Sequence, residues 1–254
     1  MHRALARISA VLPAYLSSKP AAASPAPSPL SPHSSSYQAR MASTAAPTTG
    51  GDGAEVVTTP EEWRKDLDAL PTLEQTGGAI PSVFLAHGQP MLIYPPHLST
   101  SSSRLGAIAD IQGPTGLLAN FLKDLGPALI SKYQPKAVVV FSAHWETPGG
   151  GVVTDYGDEN PLLMDYFGFP DDLYKIKFAS SGNRALAERI VSLLRGAGVP
   201  SRLTSKLEPR GEDGRGFAGP GLDHGVFVPF KLMFNDSAPV PVIQVRPSHP
   251  LSLP

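Results

Sequence analysis

The chain has 254 residues, 41% of them apolar, with a formal net charge of −1 and no cysteine. Such a length and apolar content support a sizeable folded core. The near-neutral charge, with no Lys/Arg stripe, argues against a nucleic-acid partner, and the lack of cysteine removes disulfide scaffolds, thiolate catalysis and cysteine-type zinc sites.

No apolar run reaches the roughly 18 to 20 residues that cross a bilayer, so no membrane partner is expected. Any metal must be held by histidine and carboxylate side chains.

Residues 1–54 are rich in Ala, Ser and Pro, carry a few scattered Arg and Lys, and hold no acidic residue before Asp52. That composition fits a disordered tail or an organellar transit peptide. The first predicts a cytoplasmic protein, the second one in a plastid or mitochondrion. Over residues 55–79 a short helix and linker are expected. Thr59 is its N-cap, Pro60 its first helical residue, and Glu62 completes a capping box.

Residues 80–246 form the expected folded domain. Ile80-Pro-Ser-Val-Phe-Leu-Ala reads as a brief strand that delivers His87 to a turn made by Gly88 and Pro90. Leu117, Leu118, Phe121, Leu122 and Leu125 have the spacing of an amphipathic helix continuing towards Lys132. After Pro135, the run Ala137-Val-Val-Val-Phe141 reads as a strand buried on both faces, with His144 at its carboxyl end. Strand, helix, strand in this order implies a parallel pair with a right-handed crossover, which sets both histidines on one edge of the sheet.

Further on, Val152-Val-Thr-Asp is a short strand and 165–174 an aromatic-rich loop. Residues 183–197 are a helix, 205–221 a charged glycine-rich loop, and Val240-Pro-Val-Ile-Gln-Val a last central strand. An Asp223-His224-Gly225 turn enters an apolar helix. The predicted fold is α/β: a three-layer sandwich with a mostly parallel central sheet and flanking helices.

Seven histidines are present. His2 and His33 lie in the N-terminal segment, and His97 and His249 in proline-flanked loops. His87, His144 and His224 sit at element ends. Taken alone, His144 at its strand end reads first as a structural residue; two histidines at the carboxyl ends of parallel strands suit a first-row divalent metal. Tyr166, Phe167 and Phe169 could line an apolar pocket, although packing of a long loop is the commoner use of such residues.

The motifs His87-Gly-Gln-Pro-Met, Ser142-Ala-His-Trp-Glu, Tyr166-Phe-Gly-Phe-Pro and Leu222-Asp-His-Gly, with Val228-Pro-Phe-Lys-Leu-Met, resemble the class III extradiol ring-cleavage dioxygenases, in their DOPA 4,5-dioxygenase branch. The resemblance spans about residues 80 to 245; Gln89 departs from the small Ser usual in the family. It implies that His87 and His144 ligate a catalytic metal, Fe(II) or in some relatives Zn(II), and that His224 faces the substrate. It also implies the partners, a catechol and O2, and the product, a muconic semialdehyde.

The resemblance further implies a longer family chain, with a further histidine and a third ligand beyond Val245. Residues 247–254 do not follow it. The expectation is therefore a C-terminally incomplete domain with an atypical tail. Two alternatives stand beside the enzyme: a non-catalytic truncated variant that associates with a full-length relative, and a zinc-dependent hydrolase using Glu146 or Asp223 as ligand or base.

Overall fold

In the computed structural model, residues 59–95, 111–145, 150–209, 216–217 and 219–246 are described. The transit-peptide-like segment, the tail, His97, His249 and Glu146 lie outside the described residues.

Helix α1, Pro60–Asp68, starts as its sequence dictates. The Thr59 hydroxyl accepts from the Glu62 backbone N–H, and the Glu62 carboxylate accepts in return from the Thr59 N–H. Its buried residues, Trp63 and Leu67, are four apart and so share one face. That face lies on α2, Leu117–Tyr133, where the Trp63 and Phe121 rings meet edge to face at 5.9 Å.

Polar bonds fasten the pair. The Trp63 indole and the Arg64 guanidinium both donate to Asp124 at 2.8 Å. Lys132 donates to the carbonyls of Leu67, Asp68 and Leu70 at 3.2, 2.7 and 2.8 Å. An ammonium at a helix C-terminus satisfies carbonyls that lack intrahelical partners and complements the negative end of the helix dipole. Lys132→Met should therefore loosen α1, lowering stability by about 1–2 kcal/mol. Faster amide hydrogen exchange over residues 60–70, with exchange elsewhere unchanged, is the expected readout.

The sheet has four strands in the order β1-β4-β2-β3, namely β1 Val138–Phe141, β2 Gly151–Thr154, β3 Ser201–Thr204 and β4 Val242–Arg246. β1 pairs with β4 in parallel, β2 with β3 in parallel, and β2 with β4 antiparallel. Two of the three neighbouring pairs are thus parallel.

Every residue of β4 is buried, as befits a central strand. Ile243 and Val245 join Val153 of β2 in a core cluster against Ala187 and Val191 of helix α3, Arg184–Gly196. The opposite face of β4 carries Gln244, whose amide bonds to Asp223 at the start of helix α4, His224–Phe234. α4 in turn packs on α2. Helices therefore cover both faces of the sheet. Among the described residues no helix is long and apolar enough to cross a membrane.

The expected strand over residues 80–86 is not formed: this stretch has no regular secondary structure and no ladder partner among the described residues. A strand exists only through its neighbours. β1 pairs with β4 on one side only, so the parallel pair inferred between the two histidine-bearing segments is not formed and the other flank of β1 is open among the described residues. Val139 and Phe141 consequently remain 41% and 59% exposed on an edge strand. Strand β3 had no counterpart in the sequence reading. The helices over 117–133, 184–196 and 224–234 follow the sequence pattern closely.

Candidate metal centre

The segment after β1 is held by its own serine. Ser142 Oγ accepts the His144 backbone N–H at 3.0 Å and donates to Asp223 Oδ1 at 2.8 Å. The other oxygen of Asp223 accepts from the Gln244 amide. Asp223 is the N-cap residue of α4 but makes no side-chain capping bond. Its carboxylate ties the β1 turn and the central strand β4 to the start of α4.

His144 also lies close against α4. A Cβ placed on Gly225 would stand 2.9 Å from His144 Cδ2 and 3.0 Å from Asp223 Oδ1, so the glycine makes room for the imidazole.

His224 is the first residue of α4. Its backbone N–H and its Nδ1 both face Asp165 Oδ1, at 2.7 and 2.8 Å. The second oxygen of Asp165 stands 3.7 Å from His144 Nδ1. Burial alone would raise the pKa of Asp165. The ring and backbone N–H of His224, with the charge of His224 and His144, outweigh that and hold the carboxyl at about 2. Asp165 is accordingly an ionised acceptor inside the fold.

His87 completes the group. Its Nε2 lies 2.8 Å from His144 Nε2, and its ring centre lies 4.5 Å from that of His144 and 5.3 Å from that of His224. Burial, followed by the charge of His224, lowers the pKa of His87 and favours the neutral ring whose lone pair binds metals. One ring nitrogen from each of the three residues lies within 4.8 Å of the others.

This donor set fits a divalent ion. Nitrogens about 2.0–2.1 Å from a tetrahedral ion are about 3.3 Å apart, so a small ring rotation opens the 2.8 Å contact enough to seat one.

A wall of aromatics adjoins the imidazoles. Tyr166 is buried with its ring centre 5.8 Å from that of His224, followed by Phe169 at 5.4 Å from Tyr166 and Tyr94 at 6.3 Å from Phe169. The Tyr166 hydroxyl donates to the Leu173 carbonyl at 2.7 Å, and burial raises its pKa, so it serves as a neutral wall. Phe167 is 68% exposed.

The structure thus brings His87, His144 and His224 together, with Tyr166 and Phe169 beside them. Sequence reasoning missed Asp165, Gln244 and Tyr94 as site residues. The one available signal was an acidic residue set directly between Met164 and Tyr166, in otherwise apolar surroundings.

Residues 84–250 match the family described as the catalytic LigB subunit of aromatic ring-opening dioxygenase. The chain belongs to this family. Among curated relatives of these ring-opening dioxygenases, it is 40% identical over 188 residues to a 4,5-DOPA dioxygenase extradiol-like protein of Schizosaccharomyces pombe, covering 72% of this chain and 55% of the relative. It is 36% identical over 164 residues to the 4,5-DOPA dioxygenase extradiol of Beta vulgaris, covering 64% and 48%. To that of Escherichia coli K12 it is 31% identical over 166 residues, covering 65% and 47%.

The chain therefore spans about half the length of the curated relatives it matches. Ring-opening dioxygenases of this family depend on a metal, and the three histidines are a donor set for one.

Proposed function

We propose that the chain acts as a non-haem Fe(II)-dependent extradiol dioxygenase, opening the ring of a catechol such as DOPA with O2 to a muconic semialdehyde. The observation that carries this reading is the convergence of three imidazoles within 4.8 Å, backed by a buried carboxylate. The substrate class rests on the printed names of the relatives.

His87 and His144 hold the ion in this reading. His224, whose Nδ1 is committed to Asp165, turns its other nitrogen to the substrate as acceptor for a hydroxyl proton. Tyr166 and Phe169 offer faces and edges against which a planar ring packs. An ion held by His87 and His144 would supply Lewis acidity towards a catechol and a redox path between the ring and O2. Zn(II) has no redox chemistry, so the dioxygenase reading selects iron.

The test is to load the purified chain anaerobically with Fe(II), add L-DOPA and O2, and follow the yellow semialdehyde by absorbance. Product is expected from the Fe(II) form and none from the Zn(II) form. Absence of product from a chain shown to hold stoichiometric Fe(II) overturns the proposal.

A second reading, a non-catalytic form associating with a longer relative through β1, draws on the exposure of Val139 and Phe141 along that edge strand. A chain that binds neither iron nor zinc, yet co-purifies with a full-length relative, would favour it. The hydrolase reading has less support, because Asp223 is engaged by Ser142 and Gln244.

A further inference from the structure

Two carboxylates stand behind the histidines, and their roles differ. Asp223 holds backbone: it fixes the Ser142 turn, and through it the main chain at His144. Asp165 faces the rings. We propose that Asp165 is a positioning residue that sets the tautomer of both His144 and His224, so that each turns a bare Nε2 towards the shared centre. The purpose of this arrangement rests on the metal-centre reading above, but its geometry does not.

An ionised carboxylate only accepts hydrogen bonds, so a ring nitrogen 2.8 Å from Asp165 Oδ1 must carry the proton. In a neutral imidazole the other nitrogen then keeps its lone pair. Across the carboxylate, His144 Nδ1 lies 3.7 Å from Oδ2, too far for a full hydrogen bond but near enough for the negative oxygen to favour N–H over a lone pair. The same carboxylate thus selects Nδ1–H in both rings. His144 Nε2 then receives the Nε2–H of His87 across their 2.8 Å contact in the metal-free protein. His87 is outside this control; the backbone at Gly88 is the hydrogen-bonding group beside its ring.

Asparagine separates this role from mere packing, because it has the shape of aspartate but one acceptor and one donor. With its oxygen kept on His224, two N–H bonds survive and its amide faces His144 Nδ1. Two donors then oppose each other unless His144 changes to the Nε2–H tautomer, which caps the lone pair that a metal needs. Turning the amide over would sacrifice both bonds to His224, so His144 is the ring that flips.

Long-range 1H–15N spectra of the metal-free wild-type chain read the tautomers directly. Nδ1–H is expected for both His144 and His224; Nε2–H at either overturns the inference whether or not any variant folds. Asp165→Asn should invert His144, leave His224 unchanged, and weaken Zn(II) binding, measured by chelator competition, about 10- to 100-fold. A folded variant with His144 and its Zn(II) affinity unchanged would also overturn it. A wild-type chain that binds no Zn(II) or Fe(II) would instead defeat the metal-centre reading, with the tautomers still deciding the role of Asp165.

Discussion

His144→Ala is expected to strip the chain of its bound divalent ion while leaving it folded. The imidazole removed supplies the nitrogen 2.8 Å from His87 and the ring centre 4.2 Å from that of His224, and it is one of the two rings assigned to the ion. What remains is a pair of rings 5.3 Å apart. The loss in affinity should exceed the roughly 10- to 100-fold that removing an outer partner of a ligand costs.

The fold should survive, because the bonds that place this turn run from the backbone N–H and from Ser142, and alanine retains the N–H. Equilibrium dialysis against Fe(II) or Zn(II), with circular dichroism as the control, measures both halves of the expectation. Wild-type stoichiometry in a folded variant would remove His144 from the metal centre.

Gly126→Ala should lower the stability of the fold. In a helix exposed to water, replacing Gly by Ala stabilises by about 1 kcal/mol. At Gly126, inside α2, an added Cβ would stand 2.2 Å from the Met233 carbonyl oxygen and 2.6 Å from Met233 Cβ, both on α4. A backbone oxygen in a packed helix cannot swing away, so the two helices must part, and overpacking of this kind costs about 1–3 kcal/mol or more. The steric cost wins, and the melting temperature should fall by several degrees.

Gly196, the last residue of α3, is the contrast, since a Cβ there meets nothing within 4 Å. Gly196→Ala should leave the melting temperature unchanged or raise it. Equal shifts from the two variants would show that α2 and α4 are not in close contact at Gly126.

Local rules explain why so much was legible beforehand. The Thr59 to Glu62 capping box, the spacing in α2 and the apolar face of α3 depend on residues within four positions of one another, and helices carry that information in the chain itself. The three histidines were legible because each stands beside a turn or cap residue, namely Gly88, the serine turn at Ser142 and the helix N-cap Asp223.

Pairing was harder to read. Residues 80–86 have strand composition, but whether such a stretch becomes a strand depends on what lies alongside, and no ladder partner lies beside it among the described residues. Asp165 was hidden for a similar reason. Its partners, His144 and His224, lie 21 and 59 residues away, and nothing in the loop sequence marks its carboxylate as the group behind both rings.

The strand order carries a consequence for how the protein is made. β4 lies between β1 and β2, yet it is translated after both of them and after β3. While a ribosome is still making residues 205–241, β1 has no partner and the β2–β3 pair has an open side, so the sheet cannot close in the order in which its strands emerge. Closure waits for a contact that spans about a hundred residues, between Val138 and Val242, and long loop closures of this kind slow folding. Gln244, within that late strand, also reaches Asp223 beside the histidines, so the metal centre and the sheet are finished by the same event. A nascent chain halted before residue 242 would hold all three histidines without the strand that locks them in place.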